Sequence, residues 1–378
     1  MKRLFCLAFV ALSAASASAG PIPERDIRAA SDALAKATVL DTQLYRPVAS
    51  LKGCPGANFP TAVNPPDLAA AKAYSDEAKG IGLIVLRNGT VLHESYTSGA
   101  GPASLTASAS MMKSVLALAY GIAVDRRIIR SIDDPVRRYL PEWRHDPRGA
   151  ITLRQLLTMS SGLGPSNFSQ LLFSTDIDAV ALSTPKVVEP DTVFAYNNAS
   201  SQIAGAALDR QLRKRGDRDF TSFLQRMLWC PLGNGDAELW IDREGGRPHY
   251  FAGMHASLRD WARIGELIRN QGRVGKRQLV SAKWIAEMAK PAKTNANYGL
   301  HIWLGSPWVA KRRYSAQNPV VIVHRAPYDA DDVVYFDGFG GQRVYVIPSR
   351  GITIARTGFA NLVYDDAVIV NATLAATK

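Results

Sequence analysis

Ser110 and Lys113 stand three residues apart in Ser110-Met111-Met112-Lys113, at the head of residues 113–120, a run of good helix formers. Residues 104–109 before it are small and polar enough to be the approach to a helix. If a helix begins near Ser110, the hydroxyl and the amine share one face of its first turn. A serine hydroxyl is a poor nucleophile until a neighbouring base takes its proton, and a lysine that has lost its charge can be that base. The positive end of the helix dipole disfavours a protonated lysine, and the free N–H groups there can hold an oxyanion. The spacing alone leaves a second reading open, a capping serine followed by an exposed lysine. Ser183-Thr184-Pro185-Lys186 has the same spacing, but Pro185 and the Val187-Val188-Glu189-Pro190 that follows predict an extended loop there.

Tyr196-Asn197-Asn198 is a second candidate, following Glu189-Pro190-Asp191-Thr192-Val193-Phe194-Ala195. A phenol can shuttle a proton and a side-chain amide can orient a substrate carbonyl. On its own the triplet is equally a loop leading into a helix. The six histidines (His93, His145, His249, His255, His301 and His324) have no metal-ligand spacing with another His, Cys or acid. No phosphate loop or dinucleotide fingerprint is present. The expectation is therefore no metal and no cofactor.

These groups have to be positioned by a chain of 378 residues, 47% hydrophobic and 21% charged, ordinary for a globular protein. Its length suggests one large domain or two intertwined ones. The N-terminus reads as a secretory signal: Lys2 and Arg3, an apolar stretch over residues 4–12, and Ala17-Ser18-Ala19 before Gly20. The expected mature protein is exported, to the periplasm or beyond. No later apolar run approaches the length of a membrane span. Cleavage would take the net charge from +12 to about +10. No dense Lys/Arg cluster interleaved with aromatics argues for nucleic acid, and Lys311-Arg312-Arg313, the densest run, reads as a solvated turn. Cys54 and Cys230 survive cleavage; an oxidising compartment permits a disulfide, and the sequence leaves their pairing open.

In chain order, a helical piece is expected over 26–37 and a wrapping Pro/Gly-rich stretch over 47–66, within an N-terminal segment 20–76. Residues 82–87 and 90–96 predict strands joined at Asn88-Gly89, a strong hairpin signal. Residues 131–143 carry helix-start logic, with acids and proline in a first turn. Residues 151–163 predict a short amphipathic helix stopped by Gly162. Further helices are expected over 198–212, 219–228, 257–270 and 281–289, and strands over 332–336, 342–347 and 352–357. Strands at both ends and helices between them predict an antiparallel sheet closed by both termini, with a helical region over about 125–245 inserted into a domain spanning 77–378.

Taken together, several of these segments resemble a family. They are Ser110-x-x-Lys113, Asp133-Asp134-Pro135 with Tyr139-Leu140-Pro141, Ile151-Thr152-Leu153 through Ser161-Gly162-Leu163, Glu189-Pro190 with Tyr196-x-Asn198, and Ala252-Gly253 with Ser257-x-x-Asp260. They are similar to the penicillin-recognising serine hydrolases, in the branch of class C beta-lactamases, D-alanyl-D-alanine carboxypeptidases, esterases and 6-aminohexanoate-dimer hydrolases. The resemblance covers roughly residues 80–360. It implies an α/β (α+β) sandwich of a five-stranded antiparallel sheet flanked by helices, plus an all-helical subdomain. It further implies that Ser110 attacks a carbonyl, that Lys113 and Tyr196 accept and return its proton, and that Asn198 positions substrate. The amides of Ser110 and Phe339 would form the oxyanion hole.

One departure bears on substrate. The family usually carries Lys-x-Gly or His-x-Gly on the strand beside the nucleophile, and here the matching stretch is Phe336-Asp337-Gly338-Phe339. The Gly340-Gly341-Gln342 that follows resembles the 6-aminohexanoate-dimer hydrolase and esterase subgroup. An Asp337 facing the cleft would repel a substrate carboxylate, unless Arg343 or Arg325 supplied the missing charge. His255 is either a pocket residue or a structural one. The expected substrate is a small ester, amide or peptide-like molecule. The alternatives are a beta-lactamase or D-alanyl-D-alanine carboxypeptidase, and a catalytically silent protein binding peptidoglycan or a partner. Oligomeric state is not legible.

Overall fold

The structure is a computed structural model that describes residues 28, 29, 32, 37–97, 99–316, 320–361 and 363–378. The expected signal sequence lies outside the described residues, as does most of the expected helix over 26–37.

In chain order the strands are β1 (Val48–Leu51), β2 (Gly80–Arg87), β3 (Thr90–Tyr96), β4 (Thr106–Ala107), β5 (Ala237–Trp240), β6 (Met254–Ala256), β7 (Arg273–Val274), β8 (Arg277–Gln278), β9 (Trp303–Leu304), β10 (Lys311–Arg313), β11 (Val321–Val323), β12 (Val334–Gly338), β13 (Gln342–Ile347) and β14 (Ile352–Gly358). The helices are α1 (Ala69–Glu77), α2 (Met112–Asp125), α3 (Leu153–Leu157), α4 (Phe168–Phe173), α5 (Ile177–Leu182), α6 (Asn198–Lys214), α7 (Phe220–Leu224), α8 (Leu258–Arg269), α9 (Ala282–Met288) and α10 (Asp366–Ala376).

The main sheet runs β3-β2-β14-β13-β12-β9, antiparallel throughout, so a C-terminal strand closes on an N-terminal one. The expected sheet had five strands; the sixth is the two-residue edge strand β9, too short to announce itself by alternation. The alternating residues of β2 explain why the sheet is covered on both faces. Ile84 and Leu86 join a core with Leu258, Trp261 and Ile264 of α8, while Leu83 and Val85 join a second core with Ala71 of α1 and Ile369 and Val370 of α10. The β2–β3 turn is at Asn88-Gly89, both with positive φ (51° and 79°), the twist that a two-residue hairpin requires.

A second sheet, β1-β5-β6-β4, stands beside the first. The N-terminal segment crosses it through β1, which pairs with β5, and Cys54 is bonded to Cys230 at the far end of a 176-residue separation. Closing a loop of that size restricts the unfolded chain by on the order of 4–5 kcal/mol.

Two expected helices are shorter than the sequence suggested. Thr152 and Gln155 form a reciprocal capping box that starts α3, but the helix is over by Thr158, because Met159 adopts a left-handed φ of 59° well before Gly162. Residues 131–143 form only isolated 3-10 turns, Val136–Arg138 and Pro141–Trp143. There the buried Asp134 carboxylate accepts from the Tyr139 hydroxyl (2.8 Å) and the Arg130 guanidinium, and that side-chain network replaces a helical ladder.

Candidate active site

Short strand β4 pairs with β6, and the Ser108 N–H donates to the Met254 carbonyl at 2.8 Å, pinning the chain just before the candidate nucleophile. Ala109 then takes a φ of 44°, a left-handed conformation that a Cβ-bearing residue adopts only under constraint. A 3-10 turn, Ala109–Met111, carries Ser110 and runs directly into α2. Ser110 is partly exposed. Lys113, one turn on, is 1% exposed.

Lys113 Nζ lies 2.9 Å from Ser110 Oγ, 2.8 Å from Asn198 Oδ1 and 2.9 Å from the Phe251 carbonyl oxygen. Two of those neighbours are pure acceptors. A neutral amine has two N–H donors and one lone pair, so it can satisfy both acceptors and still take a hydrogen bond from the serine hydroxyl. Burial pushes the Lys113 amine well below the ordinary lysine range, with the Asp337 charge opposing the shift. The three contacts are open to either protonation state, and burial is what favours the neutral one.

The Tyr196 ring lies 4.7 Å from Lys113 Nζ, and Ser110 is near enough to lower the pKa of its phenol. The Tyr196 backbone N–H donates to the Tyr314 carbonyl at 2.8 Å. The ring stacks on Trp303 at 6.0 Å and meets the edges of Tyr298 and Tyr314. Burial and then the Asp337 charge hold the phenol well above the ordinary tyrosine range, so it keeps its proton near neutral pH. The next residue, Asn197, caps α6 by accepting from the Ala199 N–H at 2.8 Å, and that cap sets Asn198 as the first helical residue, aimed at Lys113.

Strand β12 passes alongside the nucleophile turn. A Cβ on Gly338 would stand 2.4 Å from the Ser108 carbonyl oxygen, so a side chain there would push the strand off the turn. Phe339 follows at the bend, 55% exposed, and Gly340 and Gly341 complete the bend with φ of 79° and 88°. Gln342 holds this corner by exchanging two hydrogen bonds with the Gly358 backbone (2.6 and 3.0 Å).

Asp337 does not face the cleft as a free charge. Its carboxylate is buried, accepts from Arg312 (2.6 Å) and Tyr314 (2.7 Å), and is ion-paired with Arg343 at 2.6 Å. Arg343 donates in turn to Asp366 at 2.6 Å, and Asp366 also meets His324 at 3.2 Å. The expectation that Asp337 repels a substrate carboxylate is therefore corrected. So is the suggestion that Arg343 supplies a cation: it is 2% exposed and committed to two acids. Arg312 also departs from the solvated turn expected of Lys311-Arg312-Arg313. On β10 the run alternates exposed, buried, exposed, and Arg312 lies inside against the Trp303 ring at 4.2 Å.

His255 is fully buried on β6, 3.2 Å from Glu238 and edge-on to Tyr45, and so belongs to the second sheet's packing. The rival Ser183 and Lys186 are not brought together. Ser183 donates to the Val180 carbonyl at 2.7 Å, and Lys186 pairs with Glu189 at 2.6 Å. Sequence reasoning missed the Phe251 carbonyl, a backbone group without a side-chain signature. It also missed the aromatic wall of Tyr298, Trp303 and Tyr314, although these aromatics cluster within 17 positions. Among the described residues no group of three or more His, Cys, Asp or Glu could hold a metal ion, and no helix is long and apolar enough to cross a membrane.

The chain belongs to the Beta-lactamase family, whose model matches residues 67–376, and the family is one of serine hydrolases. A search of curated proteins returns no match. Solved structures share the fold, three of them as follows. A protein of Bacillus anthracis described as a candidate 6-aminohexanoate-dimer hydrolase aligns with a TM-score of 0.73 and 18% identity, covering 90% of this chain and 92% of its own. A penicillin-binding protein homologue from Caulobacter crescentus gives a TM-score of 0.62 at 16% identity, covering 83% and 99%. A family VIII carboxylesterase gives 0.60 at 15%, covering 82% and 96%.

Proposed function

We propose that this member of the Beta-lactamase family is an exported hydrolase that cleaves small esters or linear amides through an acyl-enzyme on Ser110. The observation that carries the reading is the contact of Lys113 with Ser110 at 2.9 Å, in a setting whose burial favours a neutral amine. In the forward step the Ser110 oxygen bonds to the substrate carbonyl carbon and its proton passes to Lys113. The tetrahedral oxyanion is held by the amides of Ser110 and Phe339. Tyr196, protonated and beside Lys113, gives its proton to the leaving group and is reprotonated from Lys113. Water then attacks the acyl carbon with the same groups in reverse, releasing the acid and restoring the serine.

The partners in this reading are small neutral molecules, and no cofactor enters any step. Support for esters and linear amides comes from the neutralised Asp337 cluster, which leaves no cation on β12, and from the structural likeness to an esterase and an amide hydrolase. The Cys54–Cys230 disulfide supports an oxidising destination. Turnover of beta-lactams or D-alanyl peptides is the second reading, favoured by the family match itself.

The test is covalent labelling with a serine-reactive fluorophosphonate, followed by turnover of short-chain esters, linear amides and a beta-lactam by one preparation. Labelling at Ser110 that Ser110→Ala abolishes and Ser183→Ala leaves intact is expected. An unlabelled, folded wild type would identify a catalytically silent binding protein, and a beta-lactam turned over faster than every ester and amide would establish the second reading.

A further inference from the structure

The two helices that start at the candidate active site end together on the far side of the helical region. There they border a cavity of about 690 Å³ that the hydrolytic chemistry does not use. Helix α2 has 14 residues and α6 has 17, so their C-termini stand about 20–25 Å from Ser110 and Asn198. Five cations line the cavity: Arg127, Arg130, Arg138, Lys214 and Arg215. Gln211 of the last α6 turn donates to the Ile128 carbonyl at 3.0 Å and fixes the two helix ends to each other.

The charges at this place are only partly matched. On the same helical region Arg210 pairs with Glu142, Arg213 with Asp209, Arg218 with Asp219 and Arg226 with Asp217. Around the cavity one buried carboxylate, Asp134, holds Arg130 and Arg138 in place. Among the described residues Arg127, Lys214 and Arg215 have no carboxylate within 4.0 Å. Two helix C-termini contribute about half a negative charge each, so the mouth keeps an excess of about three positive charges. Arg127 is also held in a left-handed conformation, φ 57°, at the turn that follows α2.

We propose that this cavity is a second binding site, for a compact ligand with clustered phosphate groups. Guanidinium groups present paired N–H donors that match phosphate oxygens, and four of the five cations are arginines. The same chemistry is offered by a free polyphosphate or by a phosphomonoester lipid headgroup, and the site is separate from Ser110.

The experiment titrates the full chain with sodium tripolyphosphate by calorimetry at low salt. Binding at one site per chain is expected, weakening as added sodium chloride screens the charges. The triple variant Arg127→Gln, Lys214→Gln, Arg215→Gln should lose affinity by about one to two powers of ten with an unchanged melting temperature. A control triple variant of equal charge change at exposed positions elsewhere, Lys276→Gln, Arg277→Gln, Lys283→Gln, should bind as the wild type does. Sedimentation with phosphatidic acid vesicles identifies the source. Retention that the cavity variant loses assigns a headgroup, and no retention alongside tripolyphosphate binding assigns a soluble ligand. No heat on titration at low salt, or equal loss in both triple variants, would overturn the proposal.

Discussion

Asn198 Oδ1 and Lys113 Nζ are 2.8 Å apart, a contact that holds the amine beside Ser110. The amide oxygen takes one N–H and the Phe251 carbonyl takes another, which leaves the third position of a neutral amine as a lone pair toward Ser110. Asn198 is therefore placed to support the base, in addition to the substrate contact that the sequence implied for it.

Replacing that amide by a carboxylate should trap the amine in its charged form. In Asn198→Asp an opposite charge would lie about 3 Å from Nζ, a placement that raises an amine pKa by about one to three units. The acid limb of kcat/KM should move up in pH by at least one unit, while activity well above the new pKa approaches that of the wild type. An acid limb that stays in place would show that another group titrates there.

Lys113→Arg tests the same role by removing the neutral state. A guanidinium keeps its charge throughout the working range, so the variant should be nearly as inactive as Lys113→Ala, several powers of ten below wild type. For the wild type the sign is the reverse of a carboxylate base in burial only: the depressed amine is neutral above its pKa, and activity should fall as acid protonates it. Both variants should be checked for folding by circular dichroism. A folded Lys113→Arg with most of the wild-type rate would eliminate the proton-acceptor role.

The legible parts of this molecule were those fixed by local chemistry. The β2–β3 hairpin was announced by Asn88-Gly89, α8 was expected over 257–270 and lies at Leu258–Arg269, and β13 was expected over 342–347 between glycine turns. Ser110, Lys113 and Tyr196 were reachable because their spacing and order are linked motifs. What could not be read depended on distant partners. Asp337 looked like a cleft acid until Arg312, 25 positions earlier, and Arg343 were brought against it. The end of α3 at Thr158 was equally hidden, since Met159 is not a residue type that signals a left-handed turn.

The disulfide should contribute to stability through the unfolded state. Cys230→Ser removes the cross-link while β1 stays paired with β5, and the loss should be on the order of 3–5 kcal/mol, or a melting temperature lower by roughly 10 °C. Reduction of the wild type by dithiothreitol should reproduce the shift and add nothing to the variant. A reductant-sensitive melting temperature in Cys230→Ser would point to another cause.

Acid should destabilise the fold through two neutral histidines. Burial lowers His249 to about 4 and His301 to about 3, against an unfolded value of 6.5. Below 6.5 the unfolded chain binds more protons than the folded one, so this stability is complete above that pH and is lost as pH falls toward 4 and then 3. At full protonation His249 accounts for on the order of 3 kcal/mol and His301 for on the order of 5 kcal/mol. His249→Gln should melt lower than wild type at pH 7, because it loses the stack on Trp240 at 3.8 Å, yet should fall less between pH 7 and 4.5. Parallel falls in the two proteins would remove His249 from the account.

The last prediction concerns substrate charge, which the buried Asp337 cluster controls. Asp337 and Asp366 are balanced by Arg312 and Arg343, so the strand beside Ser110 presents neither the cation that meets a carboxylate nor a net repulsion. A charge-assisted contact of that kind contributes about 1.5–3 kcal/mol, so its absence costs a carboxylate substrate roughly one to two powers of ten in kcat/KM. On the wild type, neutral esters and amides should therefore match or exceed carboxylate-bearing analogues of the same length. Asp337→Asn should shift the ratio toward the carboxylate analogues several-fold, because it leaves two arginines with one acid fewer. The same change should lower stability by about 3–5 kcal/mol, since an uncompensated buried charge remains. Measuring the ratio within each protein separates the two effects, because a loss of folded enzyme lowers both substrates equally. A wild type that clearly prefers the carboxylate analogue would show that a cation reaches the cleft from another direction, and would favour the beta-lactam or D-alanyl-peptide reading.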